Sequence, residues 1–226
     1  MKRLFGLTIV AVTALSAAAM AATPERVRGT VASVTADSVT IHTADKDVTV
    51  GLTSNTRYLK VVKSSLNNLD EDSYIGTATK EVGGKMIALE VVVFPSAMTG
   101  AGEGHYGWDR INDTTLSGSS RMSSSTMTNG TISAVQSDGA TANSTMTNGT
   151  VSSVGDKSGA KQITVSYKGG AQSILVPPTA PIVTFEPNTI TDLIMGKVVF
   201  VNASDDDGKL TANSVAVGTR GAPPPM

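Results

Sequence analysis

Short runs of alternating hydrophobic and polar residues, separated by polar or glycine-rich turns, cover most of the first half of the chain. A period of two is the pattern of a half-buried β-strand. Turns at residues 45–47 and 83–84 each separate two such runs, as in a β-hairpin. Ser64 or Ser65 can cap a single helical turn that extends to Leu69. The pattern predicts five or six strands and one short helical turn between residues 26 and 96.

The first of these strands contains Gly29, and a glycine inside a strand often marks a bend or a bulge. A bent first strand and a helical turn before the last two strands suit a small closed barrel of the OB type. We therefore predict that residues 26–96 form a first OB-like β-barrel. An SH3-like barrel and a small sandwich are the alternatives.

The second half repeats this outline after a change of composition. Residues 97–127 are rich in glycine and serine and are predicted to be a linker, or a loop that wraps a surface. Strand patterns resume at residue 128, a turn or short helix is predicted around 189–194, and a hairpin turn at 205–208. Residues 128–219 are therefore predicted to form a second OB-like barrel, followed by a tail at 220–226.

A tandem duplication lies inside the second predicted barrel. Residues 125–135 recur at residues 144–154, an offset of 19, with nine of eleven positions identical. Two copies at a short period favour the duplication of one strand over a solenoid. Both copies could fill the same position in a sheet, so the sequence leaves open which of them pairs there.

The first 21 residues have the three parts of a secretory signal peptide. Lys2 and Arg3 form a basic start, an apolar stretch runs from residue 4 to residue 20, and small residues precede a cleavage site after Ala21. The apolar stretch is shorter than the roughly 20 residues of a spanning helix. We expect cleavage and a location in the periplasm or outside the cell; retention of the segment as an anchor is the alternative.

Composition narrows the classes of function. The chain has no cysteine, which excludes disulfides, thiolate metal sites and cysteine nucleophiles. Loss of Lys2 and Arg3 with the signal peptide leaves 16 basic residues against 19 acidic ones. With few aromatic residues and dispersed basic residues, this balance argues against nucleic acid as a partner.

Several motifs are distinctive in combination. They are the opening at 27–31, Phe94-Pro95, the segment 102–109, the run 181–185 and the Pro-Pro-Met end. Together they resemble the motifs of a family of exported proteobacterial proteins. The resemblance implies an OB-like barrel domain of unknown function, with no catalytic residues to carry over. Automatic labelling often calls such proteins metal ion permeases. That label conflicts with the sequence, because no part of the chain after residue 21 is a candidate spanning helix.

The segment 102–109 carries the candidate metal ligands. Glu103, His105 and Asp109 could converge on zinc or copper through flexible glycine-rich backbone. The alternative is a loop that places Trp108 on a barrel and satisfies His105 by hydrogen bonding. One histidine with two carboxylates and no cysteine is a weak transition-metal set, so the second interpretation is favoured.

The sequence therefore predicts an all-β, non-enzymatic exported protein with no catalytic residues and no cofactor. It would bind a small ligand or an envelope protein, or act as a scaffold, with the loop from Gly102 to Asp109 bridging two barrels. The second hypothesis is a periplasmic protein that binds zinc or copper at Glu103, His105 and Asp109. The identity of the ligand and the oligomeric state do not follow from the sequence.

Overall fold

The chain folds almost entirely into β-strands. A computed structural model describes residues 23–116, 121–137 and 160–225, and these contain thirteen strands and three short 3-10 helices. The strands are β1 (Thr23–Val34), β2 (Ser38–His42), β3 (Asp47–Gly51), β4 (Arg57–Lys63), β5 (Tyr74–Val82), β6 (Lys85–Val93), β7 (Gly104–Asn112), β8 (Met122–Ser137), β9 (Lys161–Tyr167), β10 (Gly170–Val176), β11 (Ile182–Pro187), β12 (Val198–Asp206) and β13 (Lys209–Val217). The helices cover Leu66–Asn68, Ser96–Met98 and Ile190–Asp192. The predicted all-β class is confirmed.

Two predictions concern residues outside the described ranges. The signal peptide at 1–21 and the second copy of the repeat at 144–154 both lie there. Across the described residues, no helix has the length and hydrophobicity needed to cross a membrane. The first copy of the repeat, at residues 125–135, lies within β8 and pairs in the sheet.

The two hairpin turns predicted from glycine and aspartate are confirmed. Val82 pairs with Lys85 across Gly83-Gly84, and Asp206 pairs with Lys209 across Asp207-Gly208. All four turn residues have a positive φ, between 49° and 83°. Two consecutive residues of positive φ define the turn that matches the right-handed twist of hairpin strands, so glycine and aspartate are suited to these positions.

The strands close into two rings of pairing. In the first ring the order is β1-β2-β3-β13-β12, and β12 pairs back to β1. In the second ring the order is β8-β9-β10-β6-β5, and β5 pairs back to β8. Each ring therefore takes strands from both segments that the sequence predicts as barrels. β5 and β6 lie in the second ring, and β12 and β13 lie in the first.

The two rings repeat the same local irregularities. The pairing of β5 with β6 shifts register after Ala78, and the pairing of β12 with β13 shifts after Asn202, which is the corresponding position. β1 and β8 likewise shift register against their next strands just after Val31 and Ile132. Bulges are specified by local sequence and bend a strand in a defined way. Their recurrence indicates that the two halves of the chain share one arrangement of strands and bulges.

Each ring encloses its own apolar core. The first core is formed by buried side chains that include Val31, Ile41 and Val201. The second includes Ile132 and Ile163, both fully buried. Full burial of a side chain of this size contributes about 1.5–3 kcal/mol, so each of these residues stabilises its ring.

A central seam joins the rings in the order β6-β11-β4-β13. β4 and β11 are antiparallel, and Val61 pairs with Phe185 at the middle of their contact. A third apolar cluster, which includes Val61, Val92 and Ala216, covers the seam, with Phe185 packed against it. The rings therefore belong to one continuous sheet.

The segment predicted as a linker differs most from expectation. Residues 97–127 contain β7 and the first part of β8. Glycine content suggested irregular structure, but Gly104 and Gly107 are accommodated because β7 is held by pairing with β8. Tertiary pairing has overridden a low intrinsic strand propensity.

Candidate functional site

β7 carries the candidate site, and a tight turn positions its start. Gly102 and Gly104 both have positive φ values, of 60° and 142°. The carbonyl of Gly102 accepts hydrogen bonds from the Tyr106 hydroxyl at 3.1 Å and from Asn129 Nδ2 at 2.9 Å. A Cβ at position 102 would lie 2.8 Å from that amide nitrogen, so the turn requires glycine for its conformation and for space.

A bulge in β7 then directs Asp109 toward β1. Trp108 pairs with Ser125 and Ile111 pairs with Ser123, so two residues of β7 lie opposite one residue of β8. The Ser125 hydroxyl donates a 2.7 Å hydrogen bond to the carbonyl of Asp109 and fixes the bulge. Bulges commonly re-aim a side chain in this way.

Asp109 connects the two rings through a pair of arginines on β1. Arg26 donates through Nη2 at 2.9 Å and Nε at 3.2 Å, and Arg28 donates through Nη1 at 2.7 Å. The hydrogen bond from Arg26 is the largest cause that lowers the pKa of Asp109, and Arg28 adds to it against the opposing effect of burial. Two arginines on one carboxylate make this contact charge-assisted and directional.

Aromatic side chains surround this ion pair. The Arg26 guanidinium lies 4.1 Å from the centre of the Trp108 ring, and Arg28 lies 5.0 Å from that of Phe200. The ring of Tyr106 is 5.9 Å from that of Trp108. Cations this close to an aromatic face are attracted by the ring quadrupole. We call the side chains of His105, Tyr106 and Trp108 on β7, together with Arg26, the β7 surface.

Some buried polar atoms around β7 have no hydrogen-bond partner among the described residues. They are the donors Trp108 Nε1, Arg28 Nε and Arg28 Nη2 and the acceptor Asn129 Oδ1. Buried polar groups are usually satisfied, so these atoms are exceptions.

The predicted metal ligands do not form one cluster. Glu103 accepts a 2.8 Å hydrogen bond from the backbone N–H of Lys168, and Asp109 is engaged by the β1 arginines. His105 Nδ1 lies 2.9 Å from Thr128 Oγ1, and its ring stacks on Tyr167 at 6.0 Å. In the described ranges, no group of three or more His, Cys, Asp or Glu side chains is placed to hold a metal ion. The geometry gives the metal hypothesis no support.

The residues that sequence analysis missed are Arg26 and Arg28. They lie more than 80 residues from Asp109 in sequence, and no local motif links the two segments. Asp109 contacts Arg26 and Arg28 of β1, and the role of the segment from Gly102 to Asp109 as a bridge between two barrels stays a prediction.

A second, largely buried ion pair fixes the chain after β7. Lys80 Nζ lies 2.7 Å from Asp113 Oδ2 and 2.6 Å from Thr115 Oγ1, and the side chains of the ion pair are only 14% and 8% exposed. Burial by itself raises the pKa of Asp113, but hydrogen bonds from Lys80 and Thr115 outweigh it and leave the pKa lowered. Asp113 is therefore a charged, structural residue.

A cavity of about 440 Å³ lies elsewhere, between the end of β4, the segment before β11 and the C-terminal tail. Its lining includes Lys63, Thr179 and Pro223. It contains none of the residues that the sequence singled out as candidate ligands.

No protein-family model, curated protein or solved structure matches this chain. The resemblance of its motifs to an exported family therefore stays a prediction.

Proposed function

We propose that this protein is exported to the periplasm or beyond, and that it binds or scaffolds a partner without catalysing a reaction. The supporting observation is the position of β7, which lies outside both rings yet contacts both of them. It pairs with β8 of the second ring, and its Asp109 is bound by Arg26 and Arg28 of the first. A strand fixed by backbone pairing along one edge and by a side-chain ion pair to β1 is a rigid platform for recognition.

Each ring would be one OB-like barrel, made of five strands from both halves of the chain. The ring order gives each ring four antiparallel pairings and one parallel contact, which suits a small Greek-key barrel. The two barrels would then be interlocked, because each receives its last two strands from the other half. Interlocking would fix the angle between the barrels and hence the spacing of β7 and β1.

The side chains of the β7 surface suit binding better than chemistry. Tyr106 is 38% exposed, His105 is exposed, and Trp108 is partly covered by Arg26. Tyrosine, tryptophan and arginine are the residues most enriched at the centres of protein interfaces. A fitting partner would be an envelope protein or a small ligand that can pack against aromatic side chains.

Site-specific photo-crosslinking in the periplasm tests this function. A photoreactive residue at Tyr106 should give a discrete adduct with a partner. The same residue at Thr49, an exposed position on β3 of the first ring, should not. Equal adducts at both positions, or none at position 106, would contradict the proposal. A hydrolytic activity that is lost in His105→Ala would contradict its non-enzymatic part.

A further inference from the structure

Within the described residues, β7 is the one strand that pairs with a single neighbour. Every other strand has at least two pairing partners, because the two rings and the seam use both of its edges. β7 pairs only with β8. Its other edge therefore presents backbone N–H and C=O groups at alternate residues without a strand partner.

The unpaired edge of β7 is open to a close approach by another backbone. His105, Tyr106 and Gly107 are consecutive exposed residues in the middle of this strand. A Cβ built on Gly107 would meet nothing within 4 Å. Native proteins usually cover or shorten such an edge, so a nine-residue edge left open is suited to the addition of a strand.

The charges at the C-terminal end of β7 favour an acidic incoming strand. The two carboxylates nearest the C-terminal end of β7, Asp109 and Asp113, are already paired with Arg26, Arg28 and Lys80.

Arg110 and Arg121 lie at this same end, since Arg121 directly precedes the residue that pairs with Asn112. Both are exposed, and neither has an ion-pair partner among the described residues, although Arg110 Nη2 donates a 3.2 Å hydrogen bond to the carbonyl of Met122. The end of the edge is therefore cationic.

From the single-edge pairing of β7 and the two unpaired arginines at its end, we infer that an extended, acidic segment of a partner polypeptide adds to β7 as a further strand. Backbone hydrogen bonds along residues 104–112 would supply the part of the binding energy that does not depend on the sequence of the partner. Arg110 and Arg121 would select carboxylates at one end. The inference rests on the proposed binding function and names the class of partner.

Matched peptide libraries provide the test. One library has the length of β7, nine residues, with glutamates at one end, and the other has lysines in their place. Binding to the full mature chain is followed by the fluorescence of Trp108, the single tryptophan, and by amide hydrogen exchange at residues 104–112. The glutamate library should bind more tightly and slow exchange along β7. N-methylation at alternate peptide amides should abolish binding, because ladder donors are removed.

Charge-reversal variants separate the role of the arginines from that of net charge. The double variant Arg110→Glu/Arg121→Glu should weaken binding of the glutamate peptides about tenfold, equivalent to about 1.4 kcal/mol. The control Lys46→Glu/Arg57→Glu makes the same charge reversal at exposed positions in the β2–β3 turn and at the start of β4, elements that pair with neither β7 nor β8, and should leave affinity unchanged.

Several results would overturn the inference. They are equal binding of the lysine library, undiminished binding of N-methylated peptides, or unchanged exchange at β7. Amide exchange along β7 that is already slow in the free chain, and becomes fast when residues 138–156 are deleted, would mean that this chain covers its own edge. A dimer that is seen in native mass spectrometry and dissociates in the variant Arg110→Glu/Arg121→Glu would mean that the edge of β7 binds a second copy of this chain. A crosslink from position 106 that persists in any of these cases would leave the proposed binding function intact.

Discussion

Gly29 on β1 and Gly130 on β8 occupy equivalent positions in the two rings. A Cβ at Gly29 would lie 2.1 Å from the carbonyl oxygen of His42, and one at Gly130 would lie 2.2 Å from that of Ser166. Each glycine thus lets the neighbouring strand cross at a distance that no side chain permits. The same bend is made in the same way in both rings.

Replacing either glycine should destabilise the protein. Gly29→Ala and Gly130→Ala each force a backbone carbonyl to move, and overpacking of this kind costs about 1–3 kcal/mol. Urea unfolding of the mature chain measures the change. Gly107→Ala is the matched control, because its Cβ would enter open space, and it should change stability by less than about 0.5 kcal/mol. Equal losses at all three positions would contradict the close approach.

Asp113 should contribute stability that depends on pH. Its folded-state pKa is lowered, so its contribution is present above the unfolded carboxyl pKa of about 4 and is lost as pH falls through the lowered value. Asp113→Asn leaves Lys80 nearly buried without a charge partner and should cost about 3 kcal/mol at neutral pH.

The gap in unfolding free energy between wild type and Asp113→Asn should therefore shrink when pH falls below about 4. Glu186→Gln removes the exposed pair with Lys60 and should cost less than about 1 kcal/mol at neutral pH. A gap that stays constant down to pH 3 would show that the Asp113 carboxylate is not the group involved.

Arg26 and Asp109 should be energetically coupled. A double-mutant cycle of Arg26→Ala and Asp109→Ala is expected to give about 1 kcal/mol, because the two are joined by two hydrogen bonds. Arg26→Ala should also shift the emission of Trp108 to longer wavelength, since the guanidinium covers its ring. The cycle of His42→Ala and Asp47→Ala, an exposed pair, should give a value near zero. Equal coupling in both cycles would contradict the contact between β7 and β1.

The two copies of the repeat should respond differently to truncation. Ile132, in the first copy, is fully buried in the second ring, and Ile132→Ala should cost about 2–5 kcal/mol. Val151 is the matching residue of the second copy, and Val151→Ala should have little effect because the first copy fills the strand position. Similar losses for the two variants in urea unfolding would mean that the copies share the position.

Local signals in the sequence were sufficient for the strands and the turns. Alternation around Ile41, the Gly83-Gly84 pair and the Asp207-Gly208 pair depend on residues close together in the chain, and each predicted element is present. The helical turns near Leu69 and Leu193 are present as well, as short 3-10 helices.

The pairing partners of the strands could not be predicted from such local signals. β1 pairs with β12 and β5 pairs with β8 across many residues, and no periodicity of hydrophobic residues specifies which distant strand closes a ring. Asp109 was identified as a candidate ligand, but its arginine partners lie more than 80 residues earlier in the chain. Long-range pairing of this kind is decided by packing, not by local propensity.

Formation of a disulfide between β1 and β12 tests most directly that these two distant strands share a ring, on which the β7 surface depends. Pro24 and Ser204 are paired residues on these strands, and the natural chain has no cysteine to compete. Cross-strand neighbours have Cα atoms about 4.5–5.5 Å apart, within the range that a disulfide spans. The variant Pro24→Cys/Ser204→Cys should oxidise to an intramolecular bridge in the monomer, and the bridge should hold both ends together after proteolysis of the chain between them. Reduced thiols after oxidation, or bridges found only between molecules, would contradict the interlocked pairing.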